Sequence, residues 1–282
     1  MKILILGAKG MLGQELVRAF SDMGELAAWD KEELDLTRPD EVSRRLTAFM
    51  PDLLLNAAAW NDVDRAEKEE EQAKYLNASL VGSIADICQI LAITIVHFST
   101  DYVFEGTKKD GYAEDVQPSP LSAYGRTKAL GEKLLQQSGA EYYLIRTSRL
   151  FGAAGRSALA KKSFVDAMLE LGRSRGEVDL IDEEVSSPTY VVDLAAATRR
   201  LVADKKPFGI YHLTNSGECT WYGFGQKIFE LAGLKVKVNP VSGLAFQREA
   251  KRPVYSALRN TKLPPLRSWE QALGEYVKVR SI

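Results

Sequence analysis

The chain opens on Lys2-Ile-Leu-Ile-Leu6, which runs straight into Gly7, with Gly10 and Gly13 following at three-residue spacing. Leu12, Leu16 and Phe20 then recur on one helical face. A short apolar run, a glycine turn and an amphipathic stretch predict a strand–turn–helix unit at the head of the chain. A buried strand that feeds a helix pairs with a parallel neighbour through a crossover connection. This one unit therefore commits a large part of the chain to a sheet covered by helices.

The residues that follow keep that rhythm. Apolar runs at 26–29, 53–56, 93–98 and 142–146 read as strands. Between them, 39–49, about 72–91, and 124–137 read as helices, with Pro39 suited to a first helical turn. The fold class expected is α/β, a doubly wound, Rossmann-like parallel sheet. Beyond Arg146 glycine, proline and charge become frequent. Short strands are expected at 178–181, 210–214 and 236–239, and helices at 164–172, 192–203 and 221–232. We read 1–150 as a dinucleotide-binding domain. Residues 151–282 read mainly as a smaller substrate-binding domain, with about 177–204 returning to the sheet. The acidic run 67–71 reads as a solvated helix face.

Composition excludes several classes of function. Lys plus Arg (37) nearly balance Asp plus Glu (38), so no global field draws the chain to nucleic acid or an anionic membrane. Two cysteines, Cys88 and Cys219, with two histidines make neither a disulfide framework nor a zinc set. The longest apolar run, 90–96, falls far short of the roughly 20 residues of a membrane span. A soluble, reduced, cytoplasmic protein without a metal site is expected.

The three glycines sit where a pyrophosphate would approach backbone N–H groups at a helix N-terminus, beside Met11 and Leu12. Asp30 lies twenty positions beyond Gly10, at the end of the second strand, where a carboxylate can accept from ribose hydroxyls. It would repel a 2′-phosphate and so tilts the choice towards NADH, while Lys31 and Arg38 leave NADPH open. Ala57, Ala58 and Ala59 after the third strand let backbone pass close to a flat cofactor. Asp35 and Leu36 fall where an acid can meet an adenine.

Tyr124 and Lys128 lie four residues apart on one helix and share a face. An adjacent ammonium is expected to favour phenolate, which poises the tyrosine for proton transfer at a carbonyl or alcohol oxygen. Thr100 and Asp101 close the fourth strand, where doubly wound sheets bind ligands, and Thr100 can supply a second hydrogen bond to the same oxygen. Arg248, Lys251 and Arg252 form a basic cluster that fits either a diphosphate or ordinary solvated charge. His97 and His212 read as core histidines, and Trp221 and Trp269 as packing residues, with Trp60 a candidate sugar platform.

The glycine turn, Asn56 to Ala59, Ser99-Thr-Asp101 and Tyr124/Lys128 resemble an extended short-chain dehydrogenase/reductase. The motifs Asn56-Ala-Ala-Ala-Trp-Asn-Asp-Val-Asp-Arg-Ala-Glu67, Ser99-Thr-Asp-Tyr-Val-Phe-Glu-Gly106, Arg146-Thr-Ser148, Cys219-Thr-Trp-Tyr222 and Ala250-Lys-Arg-Pro-Val-Tyr-Ser256 are narrower. They are similar to the dTDP-4-dehydrorhamnose reductase family. The resemblance implies NADPH- or NADH-dependent reduction of the 4-keto group of a dTDP-sugar, within cell-surface polysaccharide synthesis. It also implies Thr100, Tyr124 and Lys128 as catalytic residues, and a homodimer. Asp101, Arg149, Arg248 and Arg252 are expected to face the substrate. The sequence departs from the family at Arg149, where an aromatic residue is usual, and at Asn61. Two other readings stand beside it. A sugar dehydratase is disfavoured because Tyr102, not glutamate, follows Asp101, whereas an epimerase is compatible. A non-catalytic subunit like the beta subunit of methionine adenosyltransferase would have no need of a poised Tyr124.

Overall fold

The computed structural model describes residues 1–157 and 162–280. At its centre a six-stranded sheet has the order β10-β5-β4-β3-β1-β2, with every neighbouring pair parallel. The strands are β1 (Lys2–Leu6), β2 (Glu25–Trp29), β3 (Leu53–Asn56), β4 (Thr94–Thr100), β5 (Tyr142–Thr147) and β10 (Gly209–His212). Period-two alternation divides β1 between two cores. Ile3 and Ile5 pack with Leu12, Leu16 and Phe20 of α1 (Met11–Phe20) and with Leu194 and Leu201 of α8 (Val191–Ala203). Leu4 and Leu6 face the opposite layer. There they meet Val42 and Leu46 of α2 (Pro39–Phe49), Val81 and Ile84 of α5 (Leu80–Ile90), and Leu135 of α6 (Ala123–Gln137). Two apolar faces on one parallel sheet are what a doubly wound fold requires.

The helical segment expected over 72–91 is broken. Short helices α3 (Arg65–Lys68) and α4 (Glu70–Lys74) lead into a π turn at Tyr75–Ser79 before α5 begins. The extra residue turns Asn77 inward, where its Oδ1 accepts from Trp60 N at 2.9 Å and its Nδ2 donates to Thr127 Oγ1 at 3.2 Å. Tertiary hydrogen bonds override helical periodicity here.

After β5 the chain forms β6 (Leu150–Phe151), α7 (Phe164–Ser174), β7 (Glu177–Ile181), β8 (Val185–Ser186) and β9 (Thr189–Tyr190) before α8. β11 (Cys219–Thr220), α9 (Trp221–Leu231), β12 (Lys237–Val241) and α10 (Trp269–Arg280) follow β10. Phe151, Leu169, Phe224, Trp269 and Tyr276 form a third core among α7, α9 and α10. Within 177–204, α8 packs on the main sheet, whereas β7 pairs with β12 in a separate two-stranded sheet; outside that span, β10 adds to the main sheet beside β5. The span read as 151–282 includes 158–161 and 281–282, which lie outside the described residues. Among the described residues no helix is long and apolar enough to cross a membrane.

Candidate active site

Three carboxyl strand ends, those of β1, β3 and β4, open onto one crevice. The strand order reverses between β1 and β3, the place where doubly wound sheets take ligands. Gly7 has φ +72°, and a Cβ there would lie 2.8 Å from Ala58 N and 2.9 Å from Ala57 C. A Cβ on Gly13 would come within 2.0 Å of the Gly7 carbonyl oxygen. Gly10 N–H donates to that same oxygen at 3.0 Å, and no side chain caps the start of α1 at Met11, Leu12 and Gly13. The turn is thus a backbone cradle beside an uncapped helix N-terminus, which fits the pyrophosphate of a dinucleotide. A second loop closes on it. Arg156 N–H donates to Lys9 O at 2.7 Å, and Gln14 Nε2 reaches Ala153 O at 2.9 Å. Gly152 and Gly155 were the available signal for that loop, which sequence reasoning missed.

Asp30 ends β2 with its carboxylate over the turn, accepting from Lys9 N and Lys31 N at 2.9 Å each. Lys9 Nζ is held by Glu32 at 2.9 Å and Glu33 at 3.4 Å, so the rim around Asp30 carries net negative charge. Ala57 and Ala58 lie against Gly7 at the end of β3, with Ala57 N–H donating to Leu6 O at 3.0 Å, and Ala59 follows them. Asp35 lies in the turn between β2 and α2. Its carboxylate closes a local turn by accepting from Thr37 N and Thr37 Oγ1, bonds that hold it below the usual carboxylate range. Leu36 packs with Ala58 and Tyr75, and its carbonyl accepts from Tyr75 Oη at 3.0 Å.

Tyr124 sits in the first turn of α6 and Lys128 in the second, both buried. Ser122 caps this helix, accepting from Gly125 N at 3.1 Å. The acidic run does more than face solvent. Glu67 accepts from Ala123 N at 2.8 Å, and Glu70 pairs with Arg126 at 3.0 Å, so this carboxylate-rich face docks the N-terminus of α6. Gly125 allows the helix to press on Tyr102, whose carbonyl oxygen would lie 2.3 Å from a Cβ there. Tyr102 in turn packs edge-on against Tyr124 at 5.9 Å.

Thr100 Oγ1 accepts from Tyr102 N at 3.2 Å and donates to Asp101 Oδ1 at 3.1 Å. Asp101 also accepts from Ser256 Oγ, and burial raises its carboxyl above the ordinary range. Burial pushes the Tyr124 phenol upward, which favours its protonated form. Lys128 instead donates to Phe98 O at 2.6 Å, and burial lowers it to about 8, against the supporting charge of Glu132. A neutral phenol beside a threonine hydroxyl is an arrangement that can donate a proton to an oxyanion.

Arg149, at φ +44°, stacks on Trp221 at 3.9 Å. It donates to Cys219 O at 2.9 Å and Glu184 O at 3.0 Å, with its buried Nε unpartnered. Arg248 and Arg252 are not free charges. Arg248 pairs with Glu184 at 2.6 Å and Arg252 with Asp64 at 2.6 Å, which draws Asp64 down to about 2. Glu184 also accepts from Trp221 Nε1 at 3.1 Å, making it the hub of this wall. It escaped sequence reasoning because one acid among Asp182-Glu-Glu184 carries no spacing signal. His97 and His212 are buried core residues, lowered by desolvation, as expected.

The model of the RmlD substrate binding domain matches residues 1–281. The chain belongs to that family. Among its relatives is a probable dTDP-4,6-dihydroxy-2-methyloxan-3-one 4-ketoreductase of Streptomyces antibioticus, 40% identical over 98% of this chain and 94% of that protein. The crystal structure of a dTDP-4-dehydrorhamnose reductase from Clostridium acetobutylicum superposes with a TM-score of 0.94, at 35% identity and full coverage of both chains. A dTDP-4-dehydrorhamnose reductase from Bacillus anthracis, solved in complex with NADP, has a TM-score of 0.93 at 34% identity, covering 99% of this chain and 100% of that one. Within the RmlD family, then, the sequence resemblance and the fold agree over the whole length.

Proposed function

We propose that this chain reduces the C4 ketone of dTDP-4-dehydro-L-rhamnose to the alcohol, using NADPH or NADH. The observation that carries this reading is the pairing of Tyr124 and Lys128 one turn apart on α6, both buried, with Tyr124 packed on the Thr100–Tyr102 end of β4 beside a dinucleotide cradle. When bound, the dihydronicotinamide supplies hydride to the ketone carbon. Met11, Leu12 and Gly13 hold the pyrophosphate through their free backbone N–H groups, Gly7 and Gly10 shape the turn that lets it approach, and Asp30 accepts from the adenosine ribose. Thr100 turns its hydroxyl from Asp101 to the ketone oxygen, Tyr124 donates to the same oxygen, and Tyr124 passes its proton to the forming alkoxide. Lys128 turns its ammonium to the nicotinamide ribose. Asp101 orients Thr100, while Arg149 and Trp221 form a flat platform for the sugar. Arg248 and Arg252 serve the diphosphate by exchanging their carboxylate partners for phosphate oxygens. We place the enzyme in the cytoplasm, as a homodimer, in cell-surface polysaccharide synthesis.

A second sugar is also supported. The Streptomyces antibioticus relative is named for a different dTDP-linked ketone, and Arg149 departs from the aromatic residue usual at its position. Oxidation of NADPH with dTDP-4-dehydro-L-rhamnose generated in situ, run beside a dTDP-4-keto-2,6-dideoxysugar, ranks the two. No turnover of either, together with a stoichiometric protein partner, would favour the regulatory reading.

Two expected results arise here. Asp30→Ala weakens NADH binding about tenfold or more, since a charge-assisted hydrogen bond contributes about 1.5–3 kcal/mol. NADPH binding suffers less, and fluorescence titration of both cofactors checks it. An equal or greater loss with NADPH contradicts the role of Asp30. The second result concerns pH. Lys128 loses its proton as pH rises through about 8, so kcat/KM for the cofactor falls on the alkaline side of that value. A profile flat to pH ~10, the ordinary lysine range, contradicts a role for the Lys128 charge.

A further inference from the structure

Glu132 continues the face of α6 that carries Tyr124 and Lys128, one turn beyond the lysine. It is fully buried, and its carboxylate is the meeting point of both central strands. Ser99 Oγ of β4 donates to Glu132 Oε1. Arg146 of β5 donates from Nε to both carboxylate oxygens at 3.1 Å and from Nη2 to Oε2 at 2.7 Å. Ser99 and Arg146 lie opposite one another in the parallel ladder, and the next rung pairs Thr100 with Thr147. One side chain thus ties α6 to β4 and β5 a single residue below the level of Thr100.

The neighbouring charged and titratable groups are few. Arg146 Nη1 approaches Glu114 O and His212 Nε2 at 3.4 Å each, and its guanidinium lies over the Phe104 ring at 5.1 Å. From β5, Tyr142 feels the Glu132 charge, and from β4, His97 feels that of Lys128. A buried ion pair is a poor stabiliser, because desolvation consumes most of its attraction, and apolar residues of equal volume often serve as well. What the pair supplies that an apolar contact does not is direction, through short charge-assisted bonds of fixed geometry.

We propose that Glu132 is a positioning residue for the reduction, holding Tyr124 and Lys128 in register with Thr100. Its charge also supports the Lys128 ammonium against burial, so its removal alters when that group titrates. The inference rests on the reductase reading, and its test is built so that the two can fail separately.

Two variants are compared with the wild-type chain. Glu132→Gln/Arg146→Met removes both buried charges together and leaves none unpaired, while Ser99→Ala cuts only the tie to β4. Both are expected to fold, by circular dichroism, and at a pH well below the Lys128 titration their Kd for NADPH is expected to change less than kcat. Small misplacement of a reacting group costs up to about a hundredfold, so kcat is expected to fall about tenfold or more, with KM for the keto sugar little changed. Without the Glu132 charge, the alkaline limb of kcat/KM moves about one pH unit lower in the double variant. Wild-type kcat in both variants, with an unmoved limb in the double variant, overturns the proposal. If the double variant does not fold, kcat of Ser99→Ala decides alone. If the wild-type chain reduces no keto sugar, the reductase reading has failed and the Lys128 titration is followed instead by lysine 15N NMR, assigned with Lys128→Met. A lower titration point in Glu132→Gln/Arg146→Met then upholds the coupling, and an unchanged one overturns it. Should that variant be unfolded as well, the same signal is read in Ser99→Ala, where an unshifted resonance overturns the tie.

Discussion

Tyr124→Phe is expected to lower kcat by about 100- to 10,000-fold, the range that positioned acid catalysis contributes. The substitution removes one hydroxyl and keeps the ring that packs edge-on against Tyr102. Folding and cofactor affinity are therefore retained. The size of the loss follows from the state of the phenol. Burial keeps Tyr124 protonated, and the hydroxyl is the group that the proposed reaction uses as acid. Asp101 is close, but its carboxylate is engaged by Thr100 and Ser256. Single-turnover kinetics at saturating NADPH isolate the chemical step. Near-normal turnover in Tyr124→Phe contradicts the proton-donor assignment.

Gly13→Ala is expected to abolish useful cofactor binding with a single methyl group. Its Cβ would stand 2.0 Å from Gly7 O and 2.9 Å from Ala8 Cα, both backbone atoms that cannot rotate away. Overpacking of this kind costs about 1–3 kcal/mol of stability. Relief comes only by moving α1 off the turn that it closes. The N–H groups at its first turn then no longer converge on one pyrophosphate, and affinity falls by well over tenfold, by the same logic that makes small misplacements costly. Gly176→Ala is the control, because nothing lies within 4 Å of the added atom and its effect is close to neutral. NADPH titration with thermal unfolding of both variants checks the contrast. Wild-type affinity in Gly13→Ala contradicts the cradle.

What was legible in the sequence was local. The bounds of α2 and β3 follow from periodicity and Pro39, and the glycine turn declares itself through residues that alone tolerate its geometry. Tyr124 and Lys128 share a face because helical spacing requires it. Less legible was whatever depends on a distant partner. The π turn at Tyr75–Ser79 exists because Asn77 bonds Trp60 and Thr127, and neither bond leaves a mark on local periodicity. β7 has an ordinary strand pattern, and nothing within it says that its partner is β12 rather than the main sheet. The charges were hardest of all. Arg248 and Arg252 look like a free basic cluster until Glu184 and Asp64 are seen against them. Lys128 reads from spacing alone as a partner of Tyr124, whereas in the fold its ammonium donates to Phe98 O and burial raises the phenol.

The central claim is that Tyr124, Thr100 and Lys128 serve one reduction at C4 of a dTDP-linked 4-keto sugar. The most direct measurement uses NADPH deuterated on the nicotinamide C4, with dTDP-4-dehydro-L-rhamnose and the wild-type chain. The account predicts one deuterium at C4 of the product sugar, delivered to one face, with equimolar NADP formed. Product without deuterium at C4, or sugar isomerised with no net oxidation of NADPH, would contradict it.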